Sequence, residues 1–194
     1  MLSKKCNNLN DSKVTANGYP QSTNRDRTNL LVPQGPEAKA DIVIALDTTG
    51  SMRKFWSALK IAITQFIDAQ IAHKQSPTIA LIDFKDDVTL RYFGSDMQAL
   101  KKKIENLDIS GGGLCPEASV EALNLAFRHI KQKGMIALIT DAPPYPDVDL
   151  ESLQEGLVQR IREKEVNFIF PLDKLGCSID QETFLNGIQD GLNR

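Results

Sequence analysis

Long hydrophobic runs are missing from this sequence. No stretch approaches the ~20 consecutive apolar residues that a membrane-spanning helix needs, so a membrane partner is excluded at this stage. Cysteine is scarce. Cys6, Cys115 and Cys177 are odd in number and widely separated, forming neither a zinc-ligand pattern nor a disulfide framework. That usage favours a reducing compartment, and MLSKKCNNLNDSKV lacks the apolar segment of a secretory signal, so the chain reads as cytoplasmic. An excess of either charge is also absent: 23 Lys and Arg stand against 25 Asp and Glu, a formal net charge of −2. Without a basic footprint, nucleic acid is not an expected partner. Histidine is limited to His73 and His129, both within helical pattern, which leaves no general base on a loop.

What remains is an ordinary globular composition, 41% hydrophobic and 25% charged over 194 residues, enough for one domain with a full core. Residues 1–39 differ from the rest. They are rich in Asn, Ser, Thr and Asp without hydrophobic periodicity, and read as a disordered or weakly ordered tail in which only LLVP (30–33) could dock. Residues 40–194 form the expected domain. IVIAL (42–46), TIALIDF (78–84), VTLRYF (88–93), MIALIT (135–140) and NFIFPL (167–172) have strand length and strand composition. Helical periodicity spans 52–73, 97–107, 116–130 and 149–165, with Pro116 in the first turn of the third helix, and a short helix closes the chain.

The alternation predicts a three-layer, doubly wound α/β fold. Its sheet is mostly parallel, with VTLRYF as one antiparallel edge strand because only a short turn separates it from TIALIDF. No apolar run is left after residue 172 for the sixth strand and last helix that would complete such a sheet, so the pattern reads as lacking them. Ligands of doubly wound sheets bind beyond the carboxyl ends of the strands, where the strand order reverses. DTTGSM (47–52), SGGGLCPE (110–117) and TDAPPYPD (140–147) should converge there.

The first of these loops ends a buried strand with Asp47, Thr48, Thr49 and Ser51. A phosphate cradle lacks its GxxxxGK[ST] glycines and lysine. An aspartyl phosphohydrolase lacks its second acid, since Thr49 stands where that residue belongs. A GxSxG elbow is absent. A divalent cation uses every polar side chain. Asp47, Thr49 and Ser51 alternate, so their side chains point the same way from an extended strand end, and Asp141 adds a carboxylate from the adjacent strand. Mg²⁺ takes oxygen ligands in octahedral geometry and usually keeps several waters. Singly, Asp47 or Asp141 reads as a helix cap worth ~1 kcal/mol; together with the two hydroxyls they read as metal ligands.

DTTGSM (47–52), GGGLCPE (111–117) and LITDAPP (138–144) together resemble the von Willebrand factor A family over residues 41–175. The likeness is greatest to a bacterial and protist branch that includes A domains attached to alpha-kinases and to hemicentin-type matrix proteins. The resemblance implies a metal-ion-dependent adhesion site. In it Thr49 and Ser51 bind Mg²⁺ or Mn²⁺ directly, Asp47 binds directly or through water, and Asp141 acts mostly through water. It further implies a non-enzymatic module that offers the cation to a Glu or Asp of a protein partner.

One departure stands out. The family's second loop usually supplies a threonine or aspartate ligand where this chain has Leu114, so metal is expected to bind more weakly than at an intact site. Ser110, Glu117 or a water could replace the missing oxygen. The other function class left open is an enzyme, either an Asp47-based phosphohydrolase or a substrate-recognition subunit of an ATPase or kinase complex. Oligomeric state is not written in these residues.

Overall fold

The computed structural model describes residues 38–112, 116–145, 156 and 159–169. Five strands form one sheet: β1 (Ala40–Asp47), β2 (Ile79–Phe84), β3 (Val88–Gly94), β4 (Ile130–Ile139) and β5 (Asn167–Ile169). Their order is β3-β2-β1-β4-β5. β1 runs parallel to β2 and β4, β5 runs parallel to β4, and β3 is the antiparallel edge. The helices are α1 (Arg53–Ala72), α2 (Met97–Glu105) and α3 (Ser119–His129), with a further helix, α4, described at 156 and 159–164. This is the mostly parallel, helix-flanked sheet that the alternating pattern predicts. The expectations for residues 1–37, for Leu150, Leu153 and Leu157, and for the chain beyond residue 169 lie outside the described residues.

The central strands are apolar throughout because they are covered on both faces. Ile44 and Leu46 of β1, Ile79 and Leu81 of β2 and Ile139 of β4 join Met52, Ile63 and Ile67 beside α1 and Met97, Leu100 and Ile104 of α2 in one core cluster. Phe55, Trp56 and Leu59 pack against it half-buried. The residues between them, Val43, Ala45, Ala80 and Ile82, are also buried and point to the other face by the two-residue period of a strand. Helix α3 packs on β1, β2 and β4, and its Val120, Leu123 and Phe127 are buried. Among the described residues no helix is long and apolar enough to cross a membrane.

Beyond shifts of one or two residues at β1, β2 and β3, the boundaries of α3, α2 and β4 differ from the sequence reading. Helix α3 begins at Ser119 rather than 116. The preceding residues are held in extended contact instead: Glu117 donates its N–H to Pro143 O at 2.9 Å and Ala118 donates to Lys85 O at 3.0 Å. Helix α2 stops at Glu105, where Asn106 turns its amide back to Lys102 O at 2.7 Å. Strand β4 begins at Ile130, directly after α3, because Ile130 pairs with Ala40 before an irregularity. Lys133 takes a φ of 59° in that irregularity, and regular pairing resumes at Ile42 and Met135.

The sheet's reversal point lies between β1 and β4, since the chain leaves β1 toward β2 and later returns to the opposite side. The carboxyl ends of these two strands carry Asp47 and the segment Thr140–Asp141.

Candidate metal centre

Asp47 is the last residue of β1 and is fully buried. Its Oδ1 accepts from the Thr49 N–H at 2.8 Å and from Thr49 Oγ1 at 2.6 Å. This local turn is why Thr48–Thr49–Gly50 leaves the strand without an orphaned amide. Oδ2 of Asp47 accepts from Thr140 Oγ1 at 2.6 Å, across the β1–β4 seam. The cap reading of Asp47 fails here: the 3-10 turn Gly50–Met52 and α1 start at Thr49 and Met52 without a side-chain cap.

From Thr49 the hydroxyls continue outward. Thr49 Oγ1 lies 3.0 Å from Ser51 Oγ, and Ser51 Oγ donates to Asp141 Oδ1 at 2.7 Å. The structure therefore brings Asp47, Thr49, Ser51 and Asp141 together in one connected row of oxygens. Asp47, Thr49 and Asp141 are buried, and Ser51 at the open end is exposed. Asp141 Oδ2 is buried and accepts no hydrogen bond; Lys54 Nζ stands 3.5 Å from it, beneath a cation–π contact to Phe55.

The second and third loops close in as the topology requires. Ser110 donates its N–H to Thr48 O at 3.1 Å and Gly50 donates to Gly111 O at 2.9 Å, tying the second loop to the first. Gly112 has a φ of +80°, and a Cβ there would meet Thr49 Cγ2 at 2.9 Å and Glu117 Oε1 at 3.2 Å. Glycine is required on both counts. Glu117 also forms an isolated parallel bridge with Pro144, joining the second loop to the third. Gly113, Leu114 and Cys115 lie outside the described residues.

Electrostatically the site is crowded with acids. Burial raises the Asp47 carboxyl above its ordinary range, the hydrogen bonds from Thr140 and Thr49 oppose that rise, and the Asp141 charge adds to it. Glu117 is pushed up to about 9, first by burial and then by the charges of Asp47, Asp86 and Asp141, with Lys85 opposing. Three nearly inaccessible acids around one polar row create a demand for positive charge. The donor set suits a hard divalent ion, because Asp, Thr and Ser offer only oxygen. Among the described residues no three His, Cys, Asp or Glu side chains converge closely enough to hold a metal. A cation here would therefore depend on the two hydroxyls.

Two contributors were not singled out as ligands from sequence. Thr140 closes the strand MIALIT and looks like any β-branched strand residue; its role needs the β1–β4 register. Glu117 is identifiable only as a substitute for Leu114. His73 and His129 stay away from the row: His73 Nδ1 is 2.7 Å from Ala69 O at the end of α1, and His129 is buried in α3 against Phe93.

Comparison with known proteins identifies the family and the fold. The family model described as von Willebrand factor A domain matches residues 41–187. The chain belongs to the von Willebrand factor A domain family. It is 33% identical over 114 residues to a putative ariadne-like RING finger protein of Acanthamoeba polyphaga mimivirus, covering 56% of this chain and 12% of that protein. It is 24% identical over 164 residues to hemicentin-1 of Mus musculus, covering 83% of this chain but 3% of that protein. The chain thus spans a small part of the length of these relatives. Among solved structures, BatB from Bacteroides thetaiotaomicron aligns with a TM-score of 0.55 at 18% identity, over 78% of this chain and 86% of that one. Proximal thread matrix protein 1 from the mussel byssus, solved with a zinc-occupied MIDAS motif, aligns with a TM-score of 0.51 at 15% identity, over 69% and 38%.

Proposed function

We propose that this domain is a non-enzymatic protein-binding module that holds Mg²⁺ or Mn²⁺ at Asp47, Thr49, Ser51 and Asp141 and offers the ion to a Glu or Asp of a protein partner. The observation that carries this reading is the row of oxygens from Asp47 through Thr49 and Ser51 to Asp141, whose buried Oδ2 accepts no hydrogen bond and meets only the Lys54 ammonium at 3.5 Å among the described residues. Such a row has the composition of a hard-cation site and opens to solvent at Ser51. Exposed Arg53 and Lys54 beside that opening favour an acidic approach. The zinc-occupied motif in the mussel protein supports a divalent ion in this family.

The hydrolase alternative is disfavoured by the same geometry. An aspartyl phosphohydrolase needs a second acid two residues after its nucleophile, whereas that position here is Thr49, whose hydroxyl donates to Asp47 Oδ1. The test is thermal unfolding with Mg²⁺ and with chelator. Mg²⁺ should raise the melting temperature of the wild type and leave Asp47→Ala and Asp47→Asn unchanged. An equal shift in those variants removes the metal assignment. Affinity capture in parallel should retain partners only with the wild type in Mg²⁺.

A further inference from the structure

Glu117 is the feature of the site that the four proposed ligands do not explain. Its side chain is 3% exposed, and Oε2 is buried without a hydrogen-bond partner. No ion pair reaches it among the described residues. An ionised carboxylate in that condition is costly, and a Glu at a random buried position is normally paired. The side chain also lies close to the row. Oε1 and the Thr49 methyl both crowd the point where a Cβ of Gly112 would sit, so Glu117 borders the residue whose hydroxyl lies at the centre of the row. Its backbone is clamped between loops by Pro143 O and by the bridge to Pro144, which gives the carboxylate little freedom to leave.

The three buried acids do not converge tightly enough to ligate one ion together. Mg²⁺, however, usually keeps several waters, each with protons to donate. Accepting from such a water would satisfy Oε2 without a direct bond to the metal. The second loop would then contribute through Glu117 what it cannot contribute at Leu114, where no oxygen exists. Resting on the metal reading above, we propose that Glu117 is the third carboxylate of the site, holding a cation-bound water through Oε2 in place of the ligand missing at Leu114.

The test is Mn²⁺ binding to the full chain, followed by the electron paramagnetic resonance of the free ion, with circular dichroism melts in chelator. The wild type should bind, Asp47→Asn should not, and Glu117→Gln should bind about 10- to 100-fold more weakly, the usual cost of losing a partner of this kind. In chelator Glu117→Gln should melt at or above the wild type, because the amide avoids the cost of protonating on folding an acid that the unfolded chain leaves ionised. Wild-type affinity in Glu117→Gln, with Asp47→Asn inactive, overturns this proposal and leaves the metal reading standing. A Glu117→Gln melt well below wild type in chelator makes the residue structural and also overturns it. Absence of Mn²⁺ binding by the wild type removes the metal reading and this proposal with it. Should Glu117→Gln fail to fold, Glu117→Asp decides: intermediate affinity supports the proposal, and unchanged affinity overturns it.

Discussion

Thr140 illustrates how much of the site is held by a residue that would not ligate anything. Its hydroxyl donates to Asp47 Oδ2 at 2.6 Å and accepts from the Ala142 N–H at 3.1 Å, so one side chain serves a buried acid and the start of the third loop. Thr140→Val keeps the shape and removes both functions. Leaving a buried acceptor and a buried amide unsatisfied should cost roughly 2–4 kcal/mol, measurable as a lower urea midpoint at unchanged slope. A serine at the same position should recover most of that loss. The same reasoning explains why Asp47 tolerates full burial: two hydroxyls and one amide surround its carboxylate.

At the scale of elements, the site is made by strand ends and by loop segments tied to one another through backbone hydrogen bonds. Backbone hydrogen bonds from Ser110 and Gly50 lock the first two loops, and the Glu117–Pro143 contact locks the third. Helix α2 shows the contrast with a helix start that carries no site. Asp96 Oδ1 accepts from Gln98 N and Ala99 N, each at 3.0 Å, which is ordinary capping. Asp96→Ala should therefore cost about 0.5–2 kcal/mol in chemical unfolding and leave any Mg²⁺-induced stabilisation intact. Asp47, an aspartate that also precedes a helix, should behave in the opposite way, losing the Mg²⁺ response.

For the whole molecule the consequence is a pH dependence of stability in the absence of metal. Asp47 and Glu117 have folded-state values raised above their ordinary 3.8 and 4.5, Glu117 to about 9. Between those limits the folded chain holds protons that the unfolded chain releases. Stability must then fall as pH rises from about 5 toward 9, and level off above that range. Urea unfolding in chelator at several pH values should show this decline, and Glu117→Gln should flatten most of it. A wild type whose difference from Glu117→Gln stays constant across the range would contradict the buried, proton-holding state of that acid.

Read alone, the sequence determined the alternation of strands and helices, the antiparallel edge and the three loops that meet. Each follows from local chemistry: apolar runs such as IVIAL demand two covered faces, and the short turn at Lys85–Asp87 allows only a hairpin. Asp47, Thr49 and Ser51 were picked out by their two-residue spacing, but β1 ends at Asp47 and Ser51 lies in the 3-10 turn Gly50–Met52, so the turn and not strand alternation brings the two hydroxyls together. The tertiary structure decided what depends on register and burial. Only the β1–β4 pairing brings Thr140 to Asp47, and only the contacts of Ala118 and Glu117 delay α3 to Ser119. Glu117 itself follows an ordinary Pro in the chain and becomes exceptional only when folding strips its carboxylate of water without supplying a donor. Desolvation is a property of the packed molecule, and no spacing of residues along a chain encodes it.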